Sequence, residues 1–254
     1  MYDTVVLKLL KEDIGDKYDW RSVFNKIDQT SEYKQVEGGS GHINGLRVSV
    51  TEKHVRVTGS LSKYFRGTNL DSLTLSQVEK AIKQLGKELG VPMIEADVER
   101  VDMAENFEMS RPPEFYISKM QSLGECCPNK WKGTTYFPSN GVLLRFYDKS
   151  KEVRKKRKNQ KNTPGAFSTS VEQNLLRYEI CFGKKAIRRM FGHQLKAKDL
   201  YDKDIFWRLV SEWLYSYDEI GIISDKLFDV SFEQIKTLSD FEEWCICLLY
   251  TSPS

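Results

Sequence analysis

The sequence predicts an α+β protein built on a mainly antiparallel sheet, with helices on one side and a helical extension at the C-terminal end. Three observations carry that expectation. Short apolar or alternating segments separated by Gly, Pro and Asn turns cluster in the first 185 residues, one strongly amphipathic helix interrupts them, and the pattern turns helical after about residue 184. At 254 residues the chain can fill one large domain or two modest ones. The expected division is an antiparallel-sheet domain over 1–185 and helices over 186–246 packed on it or following it. A tail over 247–254 belongs to neither.

The elements follow in order. Thr4 to Leu9 (TVVLKL) is β-branched and apolar, as a buried strand requires, and a short helix is expected around Trp20 to Ile27. Leu46, Val48 and Val50 alternate with polar residues, Glu52 and Lys53 turn the chain, and Val55 and Val57 resume the alternation, which makes a hairpin. GSGHING before it reads as a Gly-rich loop. Tyr64 is expected to pack at a strand end before the Gly67 turn. Thr74 and Gln77 have capping-box spacing, and Val78, Ala81, Ile82, Leu85 and Leu89 follow a 3.6-residue period until Gly90 and Pro92 stop the helix.

A strand over Ile94 to Met103 follows, then a helix opened by Pro112 and Pro113 that carries Phe115, Ile117 and Met120. Thr134 to Phe137 and Val142 to Tyr147 form a second hairpin around Pro138 to Gly141, and Asn174 to Phe182 is a further buried strand. Helices are expected over 184–191, near 195, and from Ile205 to about Tyr217, the last with Ile205, Phe206, Leu209, Val210, Trp213 and Leu214 on one side.

Composition excludes several classes. With 40% hydrophobic residues and no apolar run of membrane-spanning length, neither a disordered chain nor a helical membrane protein is expected, and Asp3 precedes any basic residue, unlike a secretory signal. The five cysteines (126, 127, 181, 245 and 247) have neither zinc-site nor disulfide-framework spacing, which points to reduced thiols and a cytoplasmic setting. The net charge of +3 is unevenly spread. Residues 149 to 161 hold eight Lys or Arg against Glu152 alone, so the rest of the chain is mildly acidic at −4. Such a block is ordinarily a solvated, mobile segment; concentrating repulsion in an acidic chain points instead to a polyanion, here nucleic acid.

Three strands carry ionisable groups at a period of two, which puts alternate side chains on one sheet face. Arg100 pairs in this way with Asp102, Arg145 with Tyr147 and Lys149, and Arg177 with Glu179. Individually these are ion pairs on a wet sheet face. If the strands are neighbours, the face gathers two carboxylates, a phenol and several cations. A tyrosine whose phenol, with a pKa of about 10, loses its proton as a bond forms can attack a phosphodiester, and a hard divalent cation on oxygen ligands can stabilise the developing charge. Asp102 and Glu179 suit Mg²⁺ or Mn²⁺ better than zinc. Lys151, four residues after Tyr147, is placed to neutralise a phosphotyrosine.

These residues resemble a known family. FYDKSKE, between an apolar strand and a basic stretch, is similar to the tyrosine segment of rolling-circle replication initiators; ERVDMAENF and NLLRYEI resemble two further strands of that family, and GSLSKYFRGTNL lies upstream in the same order. The resemblance spans roughly residues 40 to 220 and is nearest to phage and plasmid replication proteins of the filamentous-phage gene II/X type, with a more distant likeness to Rep_trans initiators. It implies a sheet core like that of HUH endonucleases or RRM domains and a nickase-ligase that cuts one origin strand, stays joined to the 5′ phosphate through tyrosine, and leaves a 3′ hydroxyl for polymerase.

By that resemblance Tyr147 is the nucleophile, Lys151 or Lys149 its cationic assistant, Asp102 and Glu179 the ligands of Mg²⁺ or Mn²⁺, and His54 a candidate third ligand. The two histidines flanking a hydrophobic residue that the wider superfamily often carries are missing. Arg100, Arg145, Arg177 and the block Arg154, Lys155, Lys156, Arg157 and Lys158 are expected to hold DNA. Implied partners are single-stranded or origin DNA and a host helicase and polymerase in a bacterial cytoplasm, with no membrane and no small-molecule cofactor. Tyr64 is a rival nucleophile. The competing functions are a non-catalytic sequence-specific DNA-binding protein and a metal-dependent nuclease that uses water. CLLYTSPS at 247–254 resembles a translated sequencing adapter, so the natural chain is expected to continue differently.

Overall fold

The computed structural model describes residues 1–15, 18–34, 36–70, 72–159 and 174–223, with 155–159 described by their backbone alone. The chain opens with β1 (Tyr2–Leu10), passes the short helices α1 (Lys11–Ile14) and α2 (Trp20–Phe24), and lays down β2 (Asp28–Glu32), β3 (Gly38–Ile43), β4 (Leu46–Thr51) and β5 (His54–Ser60) as successive hairpins. Helices α3 (Leu61–Arg66) and α4 (Leu75–Leu89) and a 3-10 turn at Met93–Glu95 lead into β6 (Asp97–Met109). After α5 (Pro113–Ile117) come β7 (Met120–Leu123), β8 (Asn129–Trp131), β9 (Thr134–Ser139) and β10 (Val142–Asp148). They are followed by α6 (Lys149–Asn159), β11 (Asn174–Gly183), α7 (Lys184–Phe191), a 3-10 turn at Ala197–Tyr201, α8 (Lys203–Asp218) and β12 (Ile220–Ile222).

Ten of the described strands form one antiparallel sheet in the order β2-β3-β4-β5-β1-β6-β11-β10-β9-β8, while β12 pairs with β7. This is the α+β architecture on an antiparallel sheet that the sequence predicts. One sheet face is apolar. Leu7, Leu9, Val57, Val101, Phe146, Tyr178 and Phe182 join the buried faces of α4 and α8 in a common core. Helix α4 starts at Thr74, whose hydroxyl accepts the Gln77 N–H while the Gln77 side chain accepts the Thr74 N–H, and stops at Gly90 in the left-handed region. Its Val78, Ile82, Leu85 and Leu89 are fully buried, each contributing about 1.5–3 kcal/mol.

Helix α8 reaches the sheet through a stack: Tyr178 lies 4.6 Å from Phe146 and 4.7 Å from Trp213, ring centre to ring centre, and donates its hydroxyl to the Trp213 carbonyl. Tyr178 thus points into the core, and its alternation partners Arg177 and Glu179 point the other way. Leu214, expected on the packed side of this helix, is half exposed instead.

Four further local expectations are corrected. GSGHING contributes strand β3, not a loop. Gly39 and Gly41 are there because a Cβ would strike the Phe24 ring at 2.5 Å and the Asp28 carbonyl oxygen at 2.3 Å, so the glycines serve close packing within a strand. Tyr64 lies within α3, capped by the Ser60 hydroxyl, and not at a strand end. The helix after Pro113 ends at Ile117, because Met120–Leu123 is drawn off to pair with β12. The start of the basic block is helical and anchored: the Asp148 carboxylate accepts the Lys151 N–H, and the Ser150 hydroxyl accepts the Leu175 N–H. The side chains of Lys155 to Lys158, the Thr163 to Gly165 break and the 247–254 tail lie outside the described residues.

Candidate active site

The polar sheet face is built from rows of side chains set by strand register. One row runs Trp131, Thr134, Tyr147, Arg177 and Asn106 across β8, β9, β10, β11 and β6. The next, two residues along, runs Asn129, Tyr136, Arg145, Glu179 and Ala104, and Asp102 lies opposite Cys181 one row further. A register shift in β1 between Tyr2 and Val5 turns Asp3 and Thr4 toward the same side. The result is an open cleft of about 480 Å³ whose walls include Asp3, Asn69, Arg100, Arg145, Tyr147, Lys149 and Glu179.

Three carboxylates and three guanidinium groups alternate along and beneath it, with Asp102 and Arg177 buried under the lining. Tyr147 donates its hydroxyl to Glu179 Oε1 at 2.8 Å. Glu179 also accepts Arg177 Nε at 2.5 Å and faces Arg145 Nη2 at 2.8 Å, and the same Arg145 nitrogen donates to Asp102 Oδ2 at 2.9 Å. Arg100 binds Asp102 through both oxygens, Nε at 2.7 Å and Nη2 at 2.5 Å. Arg177 completes its fork on Asp3 at 2.8 Å and Asn106 at 2.9 Å. The phenol and both acids thus share one connected site, with Asp102 joined to Tyr147 through Arg145 and Glu179.

Burial raises the Tyr147 phenol well above the ordinary tyrosine value, the Glu179 charge raises it further, and Arg177 pulls against both. The phenol is therefore protonated at neutral pH. Cys181, beside Asp102, is pushed up to about 12 by burial and the carboxylate, so it is a neutral thiol and no nucleophile.

The other sequence-predicted residues divide. Lys149 is buried with its ammonium 6.0 Å from the Tyr147 ring centre, donating to Glu152 at 2.8 Å. Lys151 is exposed and turned toward Glu114 on α5. Arg100 and Arg145 retain exposure toward the cleft, whereas the Arg177 side chain is 3% exposed and locked between Asp3 and Glu179; it holds carboxylates in place and has no face left for phosphate. Arg154 is exposed and near Asp148.

His54 does not join the cluster. It sits at the far end of β5 opposite Leu10, where its Nδ1 shares a hydrogen bond with Thr51 Oγ1 at 3.1 Å, and burial and Lys8 lower its pKa. Tyr64 donates its hydroxyl to Glu88 on α4, and no part of it lines the cleft.

A divalent cation does not fit the carboxylates as arranged. Both oxygens of Asp102 are taken by arginine, and the Arg145 terminal nitrogen lies between Asp102 and Glu179 where a bridging cation would have to sit. No group of three His, Cys, Asp or Glu able to hold a metal occurs among the described residues. Arg145 is itself imperfectly satisfied, its buried Nε having no partner among the described residues.

Sequence reasoning missed Asp3, Asn69 and Asn106. Asn69 donates to Asp3, accepts from Lys149 and offers its carbonyl to Arg177, so the loop after α3 closes one wall. The GSLSKYFRGTNL stretch already singled out contains Asn69; Asp3 carries no signal beyond its place beside a strand. No helix among the described residues is long and apolar enough to cross a membrane.

A family model for the N-terminal region of the gene II replication-associated protein of phages matches residues 1–213. No curated protein and no solved structure matches the chain.

Proposed function

Since the chain belongs to this family of replication-associated proteins and is a phage rolling-circle replication initiator of the gene II type, we propose that it starts replication by cutting one DNA strand through Tyr147. The observation that carries this reading is the 2.8 Å hydrogen bond from the Tyr147 hydroxyl to Glu179 in a cleft lined by cations. In the proposed step the phenolic oxygen attacks the scissile phosphorus, its proton passes to Glu179 Oε1, and the bond from phosphorus to the 3′ oxygen breaks. The 3′ oxygen takes a proton from water, leaving a primer end, while the 5′ phosphate remains on Tyr147. Rejoining runs the same bonds in reverse.

Charge that builds on the phosphoryl oxygens in the transition state is met by guanidinium groups already fixed in place. Arg145 and Arg100 are held by Asp102, so little reorganisation accompanies the reaction. Lys149 supplies a further cation beside the Tyr147 ring and takes the assisting role over Lys151, whose ammonium is turned toward Glu114. Arg177 acts as a positioning residue that sets Glu179 against the phenol. Origin DNA is the proposed partner. The basic helix α6 starts directly after Tyr147 and Asp148, and the proposed role of exposed Arg154, near Asp148, is to contact the phosphates of the strand leaving the cleft. A host helicase and polymerase would act on the displaced strand and the 3′ end.

The test is incubation with a single-stranded oligonucleotide carrying the phage origin, with Mg²⁺ or Mn²⁺ present. A covalent protein–DNA adduct formed by the natural chain and by Tyr64→Phe, but absent in Tyr147→Phe, is the expected result. Cleavage without an adduct would assign a water-using nuclease, and binding without cleavage a purely DNA-binding protein; either outcome overturns the reading.

A further inference from the structure

Tyr147 lies in the same side-chain row as a residue that no chemistry has yet employed. Trp131 at the end of β8 pairs with Thr134, which pairs with Tyr147, so the three side chains stand on one sheet face. Two interstrand steps separate the Trp131 and Tyr147 backbones, roughly 10 Å. Trp131 is 62% exposed, the most exposed large apolar side chain among the described residues. It is carried on a tight hairpin in which Lys132 and Gly133 both adopt the left-handed region (φ 48° and 78°), the geometry of a type I′ turn that keeps β8 and β9 in register. Lys132 sets its ammonium 4.4 Å from the centre of the Trp131 ring, and Lys132, Gly133 and Thr134 all line the cleft.

We propose that Trp131 is a stacking platform for an unpaired nucleobase next to the phosphate held at Tyr147. The inference rests on the proposed nicking reading and deepens it by naming how the strand is held. Covering a large exposed aromatic ring removes apolar surface from water, and a base offers a flat π-face of matching size. Lys132, packed on the ring and reaching the cleft, supplies cationic charge for the same nucleotide's phosphate. The basic block over 149–161 has no aromatic residue, so it offers charge for phosphates and no aromatic platform for bases. Trp131 would supply the missing half of single-strand recognition. Because every base has a π-face, this contact holds the strand without reading its sequence.

The experiment measures binding of the full chain to a fluorescein-labelled oligothymidylate of about 16 nucleotides, the upper site size of a single-strand groove. It is repeated on an abasic strand of equal length. Trp131→Ala is expected to weaken oligothymidylate binding by about 5- to 150-fold, the range for one base stack. Trp131→Phe should retain most of the affinity, and both variants should equal the natural chain on the abasic strand. Unchanged oligothymidylate binding by Trp131→Ala overturns the proposal, as does an equal loss on the abasic strand, which would assign the ring to phosphate contacts or to the fold. The two readings have separate readouts: equilibrium binding tests the stack and covalent adduct formation tests the nucleophile, so a failed adduct assay would leave the stacking result standing, and a failed stacking result would leave the adduct standing.

Discussion

Replacing Glu179 by Gln keeps the side chain's shape and removes one negative charge from a carboxylate that meets Tyr147, Arg177 and Arg145 within 2.8 Å. Two effects follow, and they can be measured separately. On folding, orphaning a buried ion costs about 3–5 kcal/mol. Here Arg177 keeps Asp3 and Asn106 and Arg145 keeps Asp102, which lowers the expected loss to about 2–3 kcal/mol, a fall in Tm of roughly 4–12 °C for a chain of this size. On chemistry, an amide cannot take the phenol's proton, so single-turnover adduct formation should drop by about 10²- to 10⁴-fold. The opposite sign is expected if Glu179 only restrains Tyr147. Its charge raises the phenol's pKa, and removing it would ease ionisation and speed the reaction at neutral pH. Adduct formation at or above the natural rate, on protein shown by thermal melting to be folded, would refute the assignment of Glu179 as the proton acceptor.

Three further outcomes are expected. Arg145→Gln should bind Mn²⁺ more tightly than the natural chain in a calorimetric titration, because the guanidinium now lies between the two carboxylates; equal affinities would show that Arg145 does not compete for that place. Replacing Arg154, Lys155, Lys156, Arg157 and Lys158 together by Gln should reduce the slope of log affinity against log salt on single-stranded DNA by up to about 3.5 units, and an unaltered slope would remove the basic helix from the interface. Burial alone would raise the Asp3 carboxyl, but Arg177 and hydrogen bonds from Ser60, Asn69 and Arg177 hold it below the ordinary aspartate range. A depressed folded-state pKa stabilises above the unfolded value of about 4, and that stability is lost as pH falls through the folded value. Asp3→Asn should therefore flatten the acid side of the stability curve below about pH 4, and a curve identical to the natural chain's would count against the Arg177 fork.

Much of this site was legible because a sheet translates sequence period directly into geometry. Arg145, Tyr147, Arg177 and Glu179 alternate with apolar residues, and once β10 and β11 pair, the four must share a face. Helix α4 was equally legible, its capping box, apolar period and terminal glycine all agreeing. What stayed hidden depends on contacts remote in sequence. Asp3 belongs to the site only because β1 carries a register shift and Arg177 reaches across to it. The arginines that occupy Asp102 and Glu179 turn a pair of would-be metal ligands into anchors for cations, and no local pattern distinguishes the two uses. Strand β3 was lost to its glycines, which usually mark loops and here allow the Phe24 ring and a neighbouring carbonyl to approach.

The placement of β1 at the middle of the sheet, between β5 and β6, has a bearing on how the molecule comes into being. At about 5–20 residues per second, roughly 10–35 s of translation separate the emergence of Asp3 from that of Glu179. Through that interval the earliest-made strand must wait for the neighbour on its β6 flank, and the aspartate waits longer still for its arginine. Every nascent or prematurely terminated chain shorter than about 180 residues lacks both the carboxylate that accepts the Tyr147 hydrogen bond and the guanidinium fork that orients it. Under the proposed nicking reading, unfinished polypeptides would be chemically silent toward DNA, and the competence to break a strand would arrive late, as a property of the nearly complete fold.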